Sequence, residues 1–334
     1  MNSTRRQILS PTLARRFSQW LLAGFAGLLC SVMASAAELS GTDLLKKMIS
    51  ASKQTNYQGS FLYARGDEIQ LMNVVHRVVD GVEQERIWHV DGERVEMIRN
   101  GQKLICYHPS EGQVTLDHTI PAGPYAQLLS AEFEQGLNYY EHAIVGTDRV
   151  ANHEATVLTV LPMDRQRYSY RMWIHPQSGL LLRTELIDLS GQTMERFQFV
   201  NVTIGADISD EQFSTSHLSQ HHSHTMSLTH VAKMREQGEM MWQPRWLPDG
   251  YKLKDANIRK VAEARVDRLV YSDGLSTFSI FVEPADVGMP LGTTQMGATV
   301  AVVKKLGDYH VTLIGEVPLA LATRVAESLA MANN

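Results

Sequence analysis

At 334 residues the chain is too long for one average domain and points to two. A hydrophobic fraction of 44% excludes a disordered chain. A formal charge of −5 excludes a surface that attracts nucleic acid or anionic membrane as a whole.

The first 36 residues read as a signal peptide rather than as part of the fold. Arg5, Arg6, Arg15 and Arg16 precede the uncharged run FSQWLLAGFAGLLCSVMASAA, and Ala34-Ser35-Ala36 supplies the small residues of a cleavage site, with the cut between Ala36 and Ala37. The run is long enough to serve as an uncleaved anchor. Its second half is rich in Ala, Ser and Gly, which favours cleavage. Export by the general secretory or the twin-arginine route stays open. Of the 2 cysteines, cleavage removes Cys30 and leaves Cys106, so the mature chain has no internal disulfide. The leader carries 4 of the 31 Lys and Arg and none of the 36 acids, leaving 27 against 36 and a net charge of −9.

Residues 37–213 read as a β-rich first domain. A helix is expected over Thr42 to Lys53, apolar at Leu44, Leu45, Met48 and Ile49. From Tyr57 to Asp117, Asp-Gly, Asn-Gly and Glu-Gly pairs separate EIQLMNVVHRVV, VEQERIWHV, RVEMI and KLICYH. Such pairs accept the positive φ of tight hairpin turns and predict an antiparallel meander. A second helix is expected over Pro124 to Phe133. The meander then resumes through EATVLTVLP, RYSYRMWIH, LLLRTELIDLS and TMERFQFVNVTIG. The expected fold class is α+β, with this domain a large antiparallel, unclosed β-barrel bearing helices.

In RYSYRMWIH the alternation puts Tyr168, Tyr170, Met172 and Ile174 on one face and Arg167, Ser169, Arg171 and Trp173 on the other. A barrel that its own side chains do not fill encloses a cavity. Tyr63, Met72, Trp88, Met97 and Trp173 therefore read first as core, and as lining for an apolar ligand if such a cavity exists. Arg167 and Arg171, with Arg165 just before them, offer a phosphate a foothold or pair with surface carboxylates.

Ser209 with Gln212 three residues on reads as a weak capping box. Residues 214–240 show neither strand alternation nor a helical stripe and read as a His/Ser-rich linker. Its His217, His221, His222, His224 and His230 lack a Cys or carboxylate to complete a zinc site, so a solvated linker is preferred to a metal site.

Residues 241–334 read as a small second α+β domain. In MWQPRWLPDGY, Pro244 and Pro248 forbid a helix, and Trp242 and Trp246 fall on one face of an extended chain. Leu247 to Gly250 fits a type I turn with Pro second and Gly fourth. Five strand-like segments follow, and Pro318 opens a helix whose stripe is Leu319, Ala322, Val325, Ala326 and Leu329.

No G-x-S-x-G, H-E-x-x-H, Walker or C-x-x-C motif occurs, and the carboxylates are scattered. Neither catalytic residues nor a cofactor is expected.

The segments YQGSFLYARGDE (57–68), DGERVEMIRNG (91–101), RYSYRMWIHPQSGLLLRTELIDLSGQTMERFQFV (167–200), WQPRWLPDGY (242–251), YSDGLSTFSIFVE (271–283) and TLIGEVPLALATRVAESL (312–329) resemble the RseB/MucB family of envelope-stress regulators. That resemblance implies a first domain shaped like the lipoprotein carriers LolA and LolB, and a periplasmic location. It implies a negative regulator that binds the periplasmic segment of an RseA/MucA-like anti-sigma factor and shields it from site-1 proteolysis. Lipid or lipopolysaccharide-derived ligands then loosen the grip, and self-association is a further family property. On this reading Tyr63, Met72, Trp88, Met97, Trp173, Arg167 and Arg171 are the lipid-facing residues. Trp246, Tyr271, Phe278 and Phe281 face the anti-sigma segment. The alternatives are a lipid or lipoprotein carrier, which has no use for residues 241–334, and an exported hydrolase.

Overall fold

A computed structural model describes residues 40–93, 95–101, 103–108, 112–116, 133–214, 223–226, 241–261, 264–285 and 289–332. The signal-cleavage residues Ala36 and Ala37 lie outside this set. So do most of the helix expected over 124–133 and the linker histidines other than His224.

Helix α1 (Gly41–Gln54) opens the fold, and its sequence accounts for where it starts. The Ser40 hydroxyl accepts the Asp43 amide at 3.1 Å, capping a first turn that also carries Asp43 beside the positive helix end. Leu44, Leu45, Met48 and Ala51 recur at helical spacing and are buried. Covering the three large ones stabilises the fold by about 1.5–3 kcal/mol each.

Ten strands then run from β1 (Tyr57–Arg65), β2 (Glu68–Val79), β3 (Val82–His89), β4 (Glu96–Asn100), β5 (Lys103–His108) and β6 (Gly112–Leu116) to β7 (Tyr140–Val150), β8 (His153–Pro162), β9 (Ser169–Ile174) and β10 (Leu181–Ile187). β11 (Thr193–Ile204) and β12 (Ser223–Met226) follow, and a short helix, α2 (Phe133–Gly136), precedes β7. Among the described residues they form one sheet in the order β12-β6-β5-β4-β3-β2-β1-β11-β10-β9-β8-β7. The two meanders join where β1 pairs antiparallel with β11, and the edges β12 and β7 stay apart, so the sheet is curved and unclosed.

The segment expected to be a strandless linker contributes β12 (Ser223–Met226), parallel to β6. Edge pairing uses backbone groups and leaves no alternation of side chains to read. At Ser209 the expected capping bond is absent, although a 3₁₀ turn over Asp210–Phe213 does begin there.

The second lobe pairs β13 (Trp242–Pro244) with β20 (Leu329–Met331). Its main sheet comprises β14 (Lys252–Val261), β15 (Ala264–Ser272), β16 (Thr277–Pro284), β17 (Gly292–Met296), β18 (Thr299–Leu306) and β19 (Tyr309–Glu316). Their order is β14-β15-β16-β19-β18-β17. Helix α3 (Leu319–Glu327) lies on this sheet, with Leu321, Ala322, Val325 and Ala326 buried.

Two sequence expectations shift here. Leu319 is exposed, and Leu329 leaves the helix to pair in β20, so Leu321 takes the buried place. The turn expected at Leu247 to Gly250 forms one residue later, closed by Tyr251 N donating to Pro248 O at 3.3 Å. Gly250 is then its third residue, at φ 92°, the positive φ that a type II turn demands.

Trp242 is buried against Tyr309, ring centroids 5.0 Å apart, and Trp246 lies half-buried under Arg324, 3.7 Å from its ring centre. The tryptophans anchor the second lobe.

Candidate functional site

A buried polar cluster lies where the two lobes meet. Residues 40–334 cohere as one compact unit, and one apolar core crosses the boundary. Leu275 and Ala298 of the second lobe pack with α1 and with Phe133, Leu158, Tyr168, Tyr170 and Met172 of the first.

Leu275 sits at the tip of the β15–β16 hairpin, in the sequence SDGLS. Asp273 Oδ1 accepts the Leu275 and Ser276 amides at 2.9 and 2.8 Å, and Ser272 Oγ accepts the Gly274 amide at 3.0 Å. Short polar side chains thus replace the missing strand pairing and stiffen the tip into a finger. It inserts Leu275 fully into the first lobe's core. Tyr170 Oη donates to Leu275 O at 3.3 Å, and Tyr168 Oη to Val317 O at 3.0 Å.

Arg167 fastens the finger. It is wholly buried; its Nε lies 2.5 Å from Asp273 Oδ2, and its terminal nitrogens reach Asp164 and the carbonyl of Asp249. The rings of Tyr139, Tyr251 and Tyr140 surround the guanidinium at 4.9, 5.1 and 5.9 Å. Burial pushes its pKa down, but the hydrogen bond and charge of Asp273 outweigh that and raise it. Burial, with Asp273 second, also holds Tyr140 well above the ordinary phenol value.

A second polar contact closes the other end of the seam. Glu195 of β11 is buried; Oε2 accepts the Tyr63 hydroxyl at 2.6 Å, and Oε1 accepts the Ala298 amide of the second lobe at 3.0 Å. Burial, and then Glu195, raise Glu316 of β19 to about 7, with Arg65 pulling it down. Burial raises the Tyr63 phenol as well, with the Glu195 bond second.

The sheet divides the residues expected to face lipid. Strand register puts Phe61 opposite Met72 and Phe199, and Ile87 opposite Met97, so Tyr63, Met72 and Met97 share a face. Phe61, Phe197 and Phe199 pack ring on ring on this side, with centroids 5.1 to 6.2 Å apart. Trp88 pairs with Asn73 and Glu96 on the opposite face, against Val75, Ala206 and Ile208 and beneath Arg86. Trp173 is buried, donates Nε1 to Asp148 at 2.9 Å, and lies under Arg183 at 4.0 Å.

Arg171 does not join Arg167. It stands half-exposed beside Glu185, at 4.0 Å, where Arg183 and Arg196 also converge on that carboxylate. An open groove of about 600 Å³ runs past Arg171 and Arg165, with Leu161 and Leu189 exposed along it.

Of the residues assigned to a partner, Tyr271 and Phe278 are buried in the second-lobe core, stacked at 5.5 Å. Trp246 and Phe281 keep partial exposure. Sequence reasoning passed over Asp273, Leu275 and Glu195, which carry the seam. SDGLS reads locally as a turn, and nothing in it says that the turn is buried.

An unclosed antiparallel sheet with a helix on it, gripping the finger of a smaller α+β lobe, defines a two-lobed protein whose lobes share a core. The chain matches the models of the MucB/RseB N-terminal domain over residues 40–217 and the MucB/RseB C-terminal domain over 236–330. The chain belongs to the MucB/RseB family. Among curated relatives, the Sigma factor AlgU regulatory protein MucB of Pseudomonas aeruginosa is 33% identical, over 90% of this chain and 95% of that protein. The Sigma-E factor regulatory protein RseB of Escherichia coli K12 is 28% identical, over 94% and 96%. A crystal structure of MucB in complex with MucA(peri) superposes with a TM-score of 0.69 at 31% identity, covering 87% of this chain and 98% of that one. A crystal structure of MucB superposes with a TM-score of 0.59 at 29% identity, covering 86% and 97%.

Proposed function

We propose that the chain is a periplasmic negative regulator of an envelope-stress sigma factor. It holds the periplasmic segment of a MucA- or RseA-like membrane anti-sigma factor and shields that segment from site-1 proteolysis. The observation that carries this reading is the match of both lobes, in order and joined by a common core, to MucB in its complex with MucA(peri). The first lobe alone would suffice for a carrier of lipid; a second lobe clamped to it suits a protein whose bound surface spans both.

Release follows from lipid or lipopolysaccharide-type ligands on the first lobe. Burying an acyl chain is worth about 0.8 kcal/mol per methylene before ordering costs, enough to offset long-range repulsion from an acidic chain. Such a ligand displaces the partner only if it binds the partner-free arrangement better. The support in this chain is the sheet face bearing Tyr63, Met72 and Met97, whose strands β1 and β11 also carry Tyr63 and Glu195 into the seam.

The test is protease protection: the exported chain, the cognate anti-sigma segment and the site-1 protease, with and without lipid A. Slowed cleavage that lipid A restores is the expected result. Cleavage at the same rate with and without the chain refutes the regulator. Protection that lipid A leaves intact refutes the release step alone.

A further inference from the structure

Among the described residues the two large sheets end in four edge strands, β12 and β7 in the first lobe and β14 and β17 in the second. An open edge presents a row of backbone N–H and C=O groups that another chain can pair with, and proteins block it with bulges and charged side chains. Strand β7 has both devices: its register shifts between Ile144 and Gly146, and Glu141, Asp148 and Arg149 are exposed on it. So does β14, whose register shifts between Leu253 and Asp255 and which exposes Lys252 and Lys254. Strand β17 is short but has neither. Its pairing with β18 is continuous, its residues GTTQM are all exposed, and residues 287–303 carry no charged side chain.

The turn at its end fixes which backbone groups face outward. Gly297 and Ala298 form a two-residue hairpin loop, with Gly297 at φ 57°, so the flanking pair Met296 and Thr299 is hydrogen-bonded. Bonded and non-bonded pairs alternate along an antiparallel ladder. Gly292 and Thr294 therefore bond to β18, while Thr293 and Gln295 turn their amides and carbonyls to the open edge. The loop is fixed to the first lobe, where the Ala298 amide donates to Glu195 Oε1 at 3.0 Å. Gly66, at the tip of the β1–β2 hairpin, packs beside it: a Cβ there would lie 3.8 Å from the Gly297 nitrogen. Asp67, Glu68 and Ile69 follow and are exposed; Arg65 meets Glu68 at 3.7 Å, so the turn keeps a net negative charge.

We propose that β17 is a docking edge, to which an extended segment of the anti-sigma factor adds as a further strand, uncharged along GTTQM and basic where it reaches Asp67 and Glu68. This deepens the function proposed above and rests on it. The chemistry of the edge selects the occupant. Outward amides and carbonyls in alternation are satisfied in register only by another backbone, which a lipid tail does not offer. A second copy of this chain has a backbone to offer, but it brings a second net charge of −9 (27 − 36). Its own residues 287–303 also hold no basic side chain to meet the acidic turn. Because β17 ends at the Ala298 contact, a strand laid on it runs from the second lobe to the first, and its grip depends on the lobes staying docked there.

The experiment takes residues 37–334 and the purified periplasmic region of the cognate membrane anti-sigma factor, and follows amide hydrogen exchange residue by residue by NMR. Saturation with that region should slow exchange at Thr293 and Gln295 by about tenfold or more, with little change at Thr294 and Met296, whose amides already bond to β18. Thr293→Pro removes an outward donor without touching the β18 ladder and should weaken the affinity by about tenfold or more. If that variant fails to fold, Thr293→Lys places a charge on the edge and should weaken it likewise. Binding that leaves Thr293 and Gln295 unprotected overturns the docking edge while the proposed regulator stands. So does an affinity within about twofold of the wild type in the folded variant. Absence of binding to the wild type overturns both. Protection of Thr293 and Gln295 that rises with chain concentration, without the partner, assigns the edge to a second copy and overturns the proposal.

Discussion

Replacing Arg167 by methionine removes the charge at the centre of the lobe seam while keeping most of the apolar stem. The structure sets the size of the effect. Arg167 and Asp273 are both shielded from water, at 0% side-chain exposure, and lie 2.5 Å apart. Loss of one member of such a pair strands the other, at a cost of about 3–5 kcal/mol. The three tyrosine rings around the guanidinium add to the loss, each contact being worth about 0.5–2 kcal/mol. Part of this is recovered, because Asp273 keeps the Leu275 and Ser276 amides. A net destabilisation of about 3 kcal/mol is expected, a large share of the roughly 5–15 kcal/mol available to a folded protein. Urea unfolding followed by tryptophan fluorescence measures it, since Trp88 and Trp173 report on the first lobe and Trp242 and Trp246 on the second. Asp273→Asn should be tolerated better in the Arg167→Met background than in the wild type, giving a coupling above about 1 kcal/mol. A loss below 1 kcal/mol for Arg167→Met, or additive effects in the double variant, refutes the assignment of Arg167 as the fastener.

Gly250→Ala should destabilise by about 1–3 kcal/mol, because its φ is 92° and the new Cβ would strike the Tyr139 ring; an unchanged thermal midpoint would show that the turn relaxes freely. Burial raises the Cys106 thiol above its ordinary value, so at pH 7 it stays protonated; residues 37–334 should react with a thiol reagent more slowly than free cysteine, and an equal rate contradicts that. Replacing Met72 and Met97 together by serine should weaken lipid binding if their face receives the acyl chain, whereas Trp88→Ala, on the opposite face, should leave it within about twofold. Equal losses in the two variants would reject the face assignment.

The sequence was most legible where chemistry is local. Ser40 and the Leu44, Leu45, Met48 spacing announce α1, and Asp-Gly and Asn-Gly pairs announce the hairpins, because caps and tight turns are decided within a few residues. Trp242 and Trp246 declared themselves as anchors for the same reason: two prolines restrict the backbone that presents them. The seam was illegible. Strand alternation groups Arg167 with Arg171, yet β9 begins at Ser169, so the alternation does not extend back to it. Its partner Asp273 lies 106 positions away, and no local pattern marks a charge that is buried only when a second lobe arrives. Likewise SDGLS predicts a turn correctly and says nothing of Leu275 being the plug.

The placement of these residues ties the aromatic cluster to the lobe seam through single strands. Strand β1 carries Phe61 and Tyr63 two residues apart, one packed in the aromatic cluster and the other bonded through its hydroxyl to Glu195. Glu195 in turn holds the Ala298 amide of the second lobe. Strand β9 repeats the arrangement, with Trp173 buried beneath Arg183 and Tyr170 bonded to the finger at Leu275. Neither route needs a long chain of contacts, because one strand reaches from the apolar cluster to the lobe seam. A packed aromatic cluster yields in discrete rearrangements rather than by continuous give. On the function proposed above, a ligand that displaced Phe61 would draw on the same backbone that positions Tyr63. The seam would then keep or lose whole hydrogen bonds, the behaviour that the proposed release requires.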